Sequence, residues 1–449
     1  MLDLERTVAA VATPAGRGGI GAVRLSGPDA HRQALARFRA RREGARPLPG
    51  GRPVFGTFLD GDGRAIDHGF LVLFAASSSF TGEPAAELWT HGSPPVLRAL
   101  LDAALRGGCA AAGPGEFSYR AVRNGRLDLP RAEAVRDLIE ARTAYQARVA
   151  LAQAEGAISA RIRPLSERLL DLVARAEAAV EFVEESEVHL PPRALEESLA
   201  SLLAEASSLL ASYRTGRLVR EGATVALTGR PNAGKSSLFN ALLARERAIV
   251  SPVPGTTRDT LEETLDVDGI PARLVDTAGL RDDADPVERE GVRRAREAVA
   301  GADVVILVLD RTRAPGEVER EVLARNGPAI LAWNKCDLPG GDAQPPEGAV
   351  PVSAVTGSGL DALRAALGAA LAGSRPAEDA LVTDARHAEA IRSGVEAMER
   401  AASALSSGLS EELAIEDLRE AQASLAEIVG ELAHDALYDR IFSTFCIGK

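Results

Sequence analysis

Gly229-Arg-Pro-Asn-Ala-Gly-Lys-Ser236 is the stretch that decides the fold of this chain. It follows a short apolar run, Val225–Thr228, and precedes Leu238–Leu242, which has the composition of a helix. A strand, a glycine-rich loop and a helix in this order form the context that the phosphate-binding motif G-x-x-x-x-G-K-[ST] requires. We therefore predict a P-loop whose backbone N–H groups face phosphates, with Lys235 at the β- and γ-phosphates and Ser236 on Mg²⁺.

Lysine is rare in this chain, and its positions support the prediction. The 52 basic residues include three lysines, Lys235, Lys335 and Lys449. Lys335 lies in Asn334-Lys-Cys-Asp337, where the aspartate carboxylate can accept hydrogen bonds from guanine N1–H and the exocyclic amine, a pair that adenine lacks. Lysine is thus kept where a compact point charge is needed and a forked guanidinium does not fit. Lys449 belongs to neither motif.

Further motifs follow in the order expected of a guanine-nucleotide domain. Asp276-Thr-Ala-Gly279 suits an outer-shell contact with Mg²⁺ and a backbone that approaches the γ-phosphate. Thr257, in a Pro/Gly/Ser-rich loop, is the predicted second hydroxyl ligand of Mg²⁺ in the triphosphate state. Ser353-Ala-Val355 completes the base pocket. The predicted nucleotide-binding residues are Asn232, Ala233, Gly234, Lys235, Ser236, Ser237, Ser251, Thr256, Thr257, Asp276, Thr277, Ala278, Gly279, Asn334, Lys335, Asp337, Ser353, Ala354 and Val355.

Composition and charge exclude several classes of protein. A net charge of −12, with 46% hydrophobic and 26% charged residues, is typical of a globular protein without an extended, non-specific nucleic-acid surface. Residues 1–60 contain ten arginines and five acidic residues, and this excess of positive charge indicates a solvated surface or, alternatively, a local anion-attracting face. No apolar run approaches the roughly 18 residues of a membrane span, and no signal-peptide pattern is present. Three scattered cysteines fit a reducing compartment, so we expect a cytoplasmic protein with no membrane partner.

Hydrophobic periodicity divides the chain into segments of different character. Short β-like runs and one helix predict an α/β domain over 1–118. Apolar residues at spacings of three and four predict helices over 119–217, including one over Arg131–Ala154, and over 377–449. Strand-like runs, one of them Val304–Asp310, alternate with helices and predict a parallel α/β domain over 218–376. The simplest arrangement inserts this domain into a discontinuous helical domain. The predicted fold class is therefore multidomain α/β plus all-α, with a Ras-like P-loop G domain.

One glycine-rich stretch is a decoy. Gly16-Arg-Gly-Gly-Ile-Gly21 matches the dinucleotide-binding pattern G-x-G-x-x-G. The pattern requires a helix directly after it, but Ala22–Leu25 continues as a strand and Gly27-Pro28 does not permit a helix start. We expect a glycine-rich hairpin or a loop that a ligand approaches.

The chain resembles a known family over essentially its full length. Its P-loop, together with Pro254-Gly-Thr-Thr-Arg-Asp259 and Asp276–Arg281, resembles the TrmE–Era branch of GTPases. Ala12–Gly21, Gly113-Pro-Gly-Glu-Phe117 and the ending Phe445-Cys-Ile-Gly-Lys449 resemble the MnmE (TrmE) family of tRNA-modification GTPases. Further matches are Ser79–Glu83 and Asn124–Asp128. The resemblance implies that the N-terminal α/β domain is folate-binding and dimer-forming.

The resemblance also implies potassium activation. Asn232 matches the asparagine whose side-chain oxygen coordinates K⁺ in the family. Backbone carbonyls of Ser251, Val253 and Thr256 would complete the shell. A cation there neutralises charge between the β- and γ-phosphates, the task of an arginine finger in other GTPases. From the residues alone, Asn232 would be a loop-stabilising amide.

Other family roles fall in the switch regions. Leu280 replaces the glutamine that orients water in Ras-type enzymes, and Glu288 matches the family's water-orienting glutamate. Arg258, Asp259 and Arg281 match positions that couple hydrolysis to modification. In the family, GTP hydrolysis accompanies dimerisation of the G domains. Val355 stands where this branch often carries Lys or Arg, so packing over the base is expected to be weaker.

A second constellation is implied for the N-terminal domain. The matched positions of a 5-formyltetrahydrofolate site are Arg24, Glu87, Arg126 and Lys449. Glu83 is the alternative to Glu87, and Arg126 stands where a lysine is common. Cys446, in the C-terminal C-[ILV]-G-K motif, is predicted to be a functional thiol, the alternative being a small hydrophobe.

These implications define the expected function. The chain is expected to be a potassium-dependent GTPase that, with an MnmG-type partner carrying FAD and using NADH, adds a (carboxymethyl)aminomethyl group at C5 of tRNA wobble uridine from a one-carbon folate. We expect a homodimer through the N-terminal domain and a heterotetramer with the partner. The alternative, an Era-like RNA-binding ribosome-assembly GTPase, requires a C-terminal G-x-x-G loop, whereas the last 70 residues predict helices. A dynamin-like GTPase requires a membrane-directed element, and Cys446–Lys449 is no prenylation box.

Overall fold

The structure is a computed structural model. It describes residues 3–42, 49–181, 192–245, 263–276, 299–313, 319–320, 329–339, 344–372, 381–407, 411–431 and 435–448. The chain divides into two compact units. Unit 1 comprises Met1–Arg136, Gln153–Asp171 and Gln422–Lys449, and unit 2 comprises Asp137–Ala152 and Leu172–Ala421. Within the described ranges, no helix is long and apolar enough to cross a membrane.

The regular elements are as follows. The strands are β1 (Val8–Val11), β2 (Gly18–Ser26), β3 (Phe38–Ala40), β4 (Val54–Leu59), β5 (Ala65–Phe74), β6 (Ala85–Gly92), β7 (Ala110–Ala111), β8 (Ala223–Thr228), β9 (Glu263–Val267), β10 (Ile270–Asp276), β11 (Val304–Asp310), β12 (Ala329–Asn334) and β13 (Val350–Pro351). The α-helices are α1 (Ala30–Leu35), α2 (Pro94–Arg106), α3 (Glu116–Arg123), α4 (Leu129–Glu140), α5 (Ala144–Ala154), α6 (Ser159–Glu181), α7 (Pro192–Ala211), α8 (Tyr213–Glu221), α9 (Lys235–Arg245), α10 (Leu360–Ala372), α11 (Ala385–Ser406), α12 (Glu411–Val429) and α13 (Asp435–Phe442).

Unit 1 is built on a seven-stranded sheet in the order β3-β4-β5-β6-β2-β1-β7. Neighbouring strands are antiparallel except β1 and β7, which are parallel. Leu25, Leu71 and Leu88 lie on one face and pack with residues of α1 and α2 into a buried core. Because side chains alternate along a strand, Arg24 and Glu87 lie on the opposite face.

The glycine-rich decoy lies in a hairpin, as predicted. β1 and β2 pair antiparallel, with Val11 opposite Val23, and β2 already begins at Gly18. A Cβ at Gly21 would lie 2.8 Å from the Leu97 side chain and 3.0 Å from Gly92 Cα, so close packing of strand and helix requires this glycine. A strand where the dinucleotide motif needs a helix excludes that interpretation.

The C-terminal segment of unit 1 packs on the N-terminal segment. Tyr119 of α3 makes edge-to-face contacts with Tyr438 and Phe442 of α13. Beyond α13, Ile447 forms an isolated antiparallel bridge with Pro114. The last described residues of the chain are therefore held against the loop that precedes α3.

Unit 2 contains a six-stranded sheet in the order β13-β12-β11-β8-β10-β9. All neighbours are parallel except β9 and β10, which form an antiparallel pair. β8 lies between β10 and β11, and its Val225 and Leu227 are fully buried in a core shared with α9 and α10. A parallel sheet with helices packed on it is the architecture predicted for the G domain, and the multidomain α/β plus all-α fold class is confirmed.

One predicted helix differs from the structure at an instructive point. The expected helix Arg131–Ala154 is two helices, because Thr143 and Gln146 cap α5 reciprocally. Thr143 Oγ1 accepts from the Gln146 N–H at 3.1 Å, and Gln146 Oε1 accepts from the N–H groups of Thr143 and Arg142. This capping box satisfies orphan donors at a new helix start, so the periodicity continues while the helix does not.

Candidate functional site

The nucleotide-binding motif forms the predicted strand–loop–helix unit. β8 ends at Thr228, the loop spans 229–234, and α9 begins at Lys235. Gly229 has φ +142°, and a Cβ there would lie 2.3 Å from Val308 O. Gly234 has φ +94°, and its Cβ would lie 2.3 Å from the Asn334 amide nitrogen. Both glycines are thus required by backbone conformation and by close approach.

Lys235 lies inside the loop. Its buried ammonium donates hydrogen bonds to the carbonyls of Gly229 and Arg230, each at 2.9 Å. Ser236 and Ser237 are exposed in the first turn of α9. The N-terminus of this helix presents backbone N–H groups and the positive end of the helix dipole, which favours phosphate.

Asn334 ties the loop to the base-reading segments. Its buried amide nitrogen donates to Ala233 O at 2.8 Å, and its amide oxygen accepts from the Ala354 N–H at 3.2 Å. The P-loop, the end of β12 and the Ser353–Val355 segment are therefore joined through one side chain. Each of these segments carries a predicted nucleotide motif, and the structure brings the three together.

Asp337 is oriented by Ser353. The carboxylate Oδ1 accepts from the Ser353 hydroxyl at 2.6 Å, and the Ser353 oxygen itself accepts from the Thr356 N–H at 3.1 Å. Asp337 is exposed and Ser353 is fully buried, so a fixed hydroxyl holds an accessible carboxylate. Val355 is 83% exposed, and its weak packing over the base stays a prediction.

Lys335 has a partner that the sequence interpretation missed. Its ammonium lies 2.7 Å from Asp310 Oδ2, at the end of the neighbouring strand β11. Burial raises the pKa of Asp310, but hydrogen bonds from Lys335 and Thr312 outweigh it, so the pKa is lower than usual and the carboxylate stays ionised. An acidic residue that ends a buried strand beside the Asn334–Asp337 motif was the available signal.

The second constellation lies in unit 1, around Arg24. Arg24 and Glu87 stand directly opposite each other on β2 and β6. The Arg24 Nε and Nη2 atoms donate to Glu87 Oε1 at 3.1 and 2.9 Å, and Trp89 Nε1 donates to Glu87 Oε2 at 3.0 Å. The Arg24 Nη1 atom donates to Gly448 O at 3.4 Å. The Arg24 guanidinium therefore contacts Glu87, which the register of β2 and β6 places opposite it, and Gly448 of the C-terminal segment.

Glu83 belongs to a different, more buried network. Its carboxylate accepts from the Ser26 hydroxyl at 2.8 Å and from Arg120 Nη1 at 3.1 Å. Arg120 is fully buried and also donates to Glu116 at 2.8 Å. Both glutamates were candidates, and the structure joins only Glu87 to Arg24.

Arg126 and Cys446 are both exposed. Arg126 follows α3, and none of its described contacts reaches Arg24 or Glu87. The Cys446 carbonyl accepts from the Gly115 N–H at 3.4 Å, which fixes the backbone while the residue stays exposed. Cys446 is therefore not packed as a small buried hydrophobe.

Comparison with known proteins decides the family. The family model "MnmE helical domain" matches residues 129–446, and "GTP-binding protein TrmE N-terminus" matches residues 7–126. The chain belongs to the MnmE family of tRNA modification GTPases. This confirms the predicted family and, at that level, the prediction of a GTP hydrolase in tRNA modification.

Full-length relatives agree with this membership. The chain is 43% identical to the tRNA modification GTPase MnmE of Chloroflexus aurantiacus, covering 99% of this chain and 100% of the relative. It is 44% identical to that of Methylococcus capsulatus, covering 99% and 98%. Among solved structures, Era of Aquifex aeolicus bound to GDP and AlF4⁻ is 25% identical, covers 39% of this chain and 67% of that chain, and has a TM-score of 0.26.

Several predicted site residues, some from the nucleotide motifs and some from the family resemblance, lie outside the described residues. These are Ser251, Val253, Thr256, Thr257, Arg258, Asp259, Thr277, Ala278, Gly279, Arg281, Glu288 and Lys449. Asp276 ends β10 as predicted, and its side chain is likewise outside the described part of the chain. Among the residues that the structure describes, no cluster of three or more His, Cys, Asp or Glu residues forms a metal site.

Proposed function

We propose that this chain is a potassium-activated GTPase that, with an MnmG-type FAD protein, adds a (carboxymethyl)aminomethyl group at C5 of tRNA wobble uridine. The observation that carries the proposal is the joined P-loop and base pocket, held by Asn334, in a chain of the MnmE family. The names of the relatives supply the tRNA-modification class, and the site supplies the nucleotide chemistry.

The phosphate end of the site supports GTP binding. Lys235 is already desolvated, and two carbonyls orient its ammonium group. A phosphate could therefore replace these carbonyls as hydrogen-bond partners while the ammonium group stays in place. Ser236, exposed at the helix start, fits an oxygen ligand for Mg²⁺, and Thr257, Asp276 and Gly279 are proposed to complete that end. Bound Mg²⁺ would supply charge neutralisation between the phosphates.

The base end supports guanine specificity. Asp337 presents a carboxylate that Ser353 holds at one oxygen. Guanine offers two donors to such a carboxylate, whereas adenine presents an acceptor at N1. The Ala354 N–H, 3.2 Å from the Asn334 amide oxygen, lies on the segment proposed to read the guanine oxygen.

Potassium activation rests on Asn232. This residue is exposed at the loop rim with φ +64°, a conformation that few side chains other than Asn and Asp adopt readily. Its amide oxygen would hold K⁺ with carbonyls of Ser251, Val253 and Thr256, and Glu288 would orient the attacking water. We expect GTP turnover to be faster in KCl than in NaCl at equal ionic strength, and Asn232→Ala to remove the difference; equal rates of the unaltered chain in both salts would refute the site.

The second constellation is the proposed 5-formyltetrahydrofolate site. Arg24 and Glu87 offer a cation and a carboxylate on one sheet face, and Gly448 brings the chain end to them. Glu87 is the better candidate because it pairs with Arg24, whereas Glu83 pairs with the fully buried Arg120. Arg126 and Lys449 are proposed as further anion contacts, and Cys446 as a functional thiol. The bound folate would supply a one-carbon unit.

The remaining proposals concern assembly. We propose a cytoplasmic homodimer through the N-terminal domain, a heterotetramer with an FAD- and NADH-using partner, and tRNA as substrate. Arg258, Asp259 and Arg281 are proposed to couple hydrolysis to modification. The domain division 1–118, 119–217, 218–376 and 377–449 remains our proposal, as does Era-like RNA binding in ribosome assembly as the alternative function.

One experiment tests the modification role. The gene is deleted in its native host, and nucleosides from digested tRNA are quantified by mass spectrometry. We expect the C5-modified wobble uridine to disappear, to return with the wild-type gene, and to stay absent with Asp337→Ala. Unchanged wobble-uridine content after deletion would overturn the proposal, and a ribosome-assembly defect with intact modification would favour the alternative.

A further inference from the structure

Lys335 is the motif lysine of the base pocket, and its side chain is anchored from a neighbouring strand. β11 and β12 are parallel, with Asp310 in register with Asn334. The residue after Asn334 therefore lies beside the end of β11, and its ammonium is 2.7 Å from Asp310 Oδ2. Lys335 has φ +67°, so a strained backbone and an ion pair together fix the lysine.

Asp310 is itself held in place. Its other oxygen, Oδ1, accepts from the Thr312 N–H at 2.9 Å and from the Thr312 hydroxyl at 2.7 Å. The residue is 8% exposed. A nearly buried carboxylate with one oxygen filled by two donors has a single oxygen left for Lys335.

The two strand ends are joined by further bonds. The Arg311 N–H donates to Asn334 O at 3.2 Å, and its Nη1 donates to Cys336 O at 3.3 Å. Asp310 and Arg311 therefore contact three consecutive residues of the base-reading motif. Such outer contacts orient a binding residue that has few partners of its own.

We propose that Asp310, kept in place by Thr312, is a positioning residue for guanine-nucleotide binding that fixes the Lys335 side chain at the base pocket. The inference deepens the proposed GTP site and rests on it. It also accounts for lysine at 335 in an arginine-rich chain. A guanidinium pairs best with two acceptors, and the second carboxylate oxygen of Asp310 is already occupied by Thr312.

The test measures the affinity of the full-length chain for fluorescent GDP and IDP. Asp310→Asn keeps an oxygen for Thr312 but turns an amide N–H₂ toward the ammonium. We expect about tenfold weaker binding of both nucleotides, with kcat at saturating GTP within about twofold. For Asp310→Asn we expect equal losses of GDP and IDP affinity, because Lys335 is not the group that reads the exocyclic amine. Asp337→Ala, in contrast, is expected to remove the discrimination between GDP and IDP. Thr312→Val, which keeps the backbone donor, is expected to cost about threefold.

A double-mutant cycle with Lys335→Met separates positioning from a general structural role. In the Lys335→Met background, Asp310→Asn is expected to change GDP affinity by less than about twofold, because the group it positions is gone. The same loss in both backgrounds, or no loss in the wild-type background, would overturn the inference. Failure of the unaltered chain to bind GDP would instead reject the proposed function.

Discussion

The P-loop region of unit 2 and the Arg24–Glu87 region of unit 1 fix a cation in different ways. Lys235 is held by carbonyls five and six residues away in the chain. Arg24 is held by Glu87, 63 residues away, and by Gly448, 424 residues away. The first arrangement is local and follows from one turn between a strand and a helix. The second exists only after a sheet has formed and the C-terminal segment has docked on it.

This difference predicts which substitutions act at one region alone. Removing a cation should weaken ligand binding in its own region and leave the other region's binding intact, since each cation is anchored by separate partners. The largest effect is expected where the charge is most desolvated and meets phosphates directly.

Lys235→Ala is expected to have that largest effect. Loss of a buried, hydrogen-bonded charge from a binding site costs about 2–5 kcal/mol, roughly 30- to several-thousand-fold in GDP affinity. The freed carbonyls of Gly229 and Arg230 are only partly buried and can be solvated, so the melting temperature should change little. Equilibrium titration with fluorescent GDP checks this, with Arg24→Ala as the matched cation removal; a comparable GDP loss in Arg24→Ala would break the comparison.

The difference between a local and a long-range arrangement also explains which of the two regions could be predicted from the sequence. β11 was predicted with its observed bounds, and the four nucleotide motifs were found because spacing and flanking elements specify each. The Arg24–Glu87 pair depends on the register between β2 and β6, which no local pattern near either residue encodes. Its residues were indicated only by the family resemblance.

Two other features of the structure were not predicted from the sequence patterns. The sequence predicts that Asp310 ends a strand. It does not predict the bond to Lys335, because that bond depends on which strand lies next to β12. The break between α4 and α5 was missed although Thr143 and Gln146 have capping-box spacing, because apolar periodicity continues through it. The signal for the helix break was therefore present but competed with a stronger one, whereas the partner of Asp310 depends on the order of strands in the sheet.

Arg24→Ala is the second prediction. Hydrogen bonds to charged groups contribute about 1.5–3 kcal/mol, so 5-formyltetrahydrofolate affinity should fall roughly 10- to 150-fold while GDP affinity is retained. Isothermal titration calorimetry measures both. Arg32→Ala is the control, because the Arg32–Asp29 pair is exposed and such pairs contribute little. Folate binding that survives Arg24→Ala would remove the second constellation from the proposed function.

Gly448→Ala gives the smallest expected effect and tests whether the C-terminal segment completes that constellation. Gly448 has φ +95°, and a Cβ would lie 2.4 Å from Val11 O, so the segment must shift. Arg24 then loses its 3.4 Å contact with the Gly448 carbonyl. A strained residue of this kind costs about 1–3 kcal/mol, only part of which falls on the ligand, so we expect folate affinity to drop about 2- to 10-fold.

The control for this substitution is Gly63→Ala. Gly63 has φ +79°, and a Cβ there would meet no atom within 4 Å, so the substitution brings the same kind of backbone strain without the clash. If Gly448→Ala weakens folate binding and Gly63→Ala does not, displacement of the segment is the cause. Wild-type folate affinity in Gly448→Ala would mean that Arg24 and Glu87 bind without the chain end, and the Arg24–Glu87 region would then depend on strand register alone.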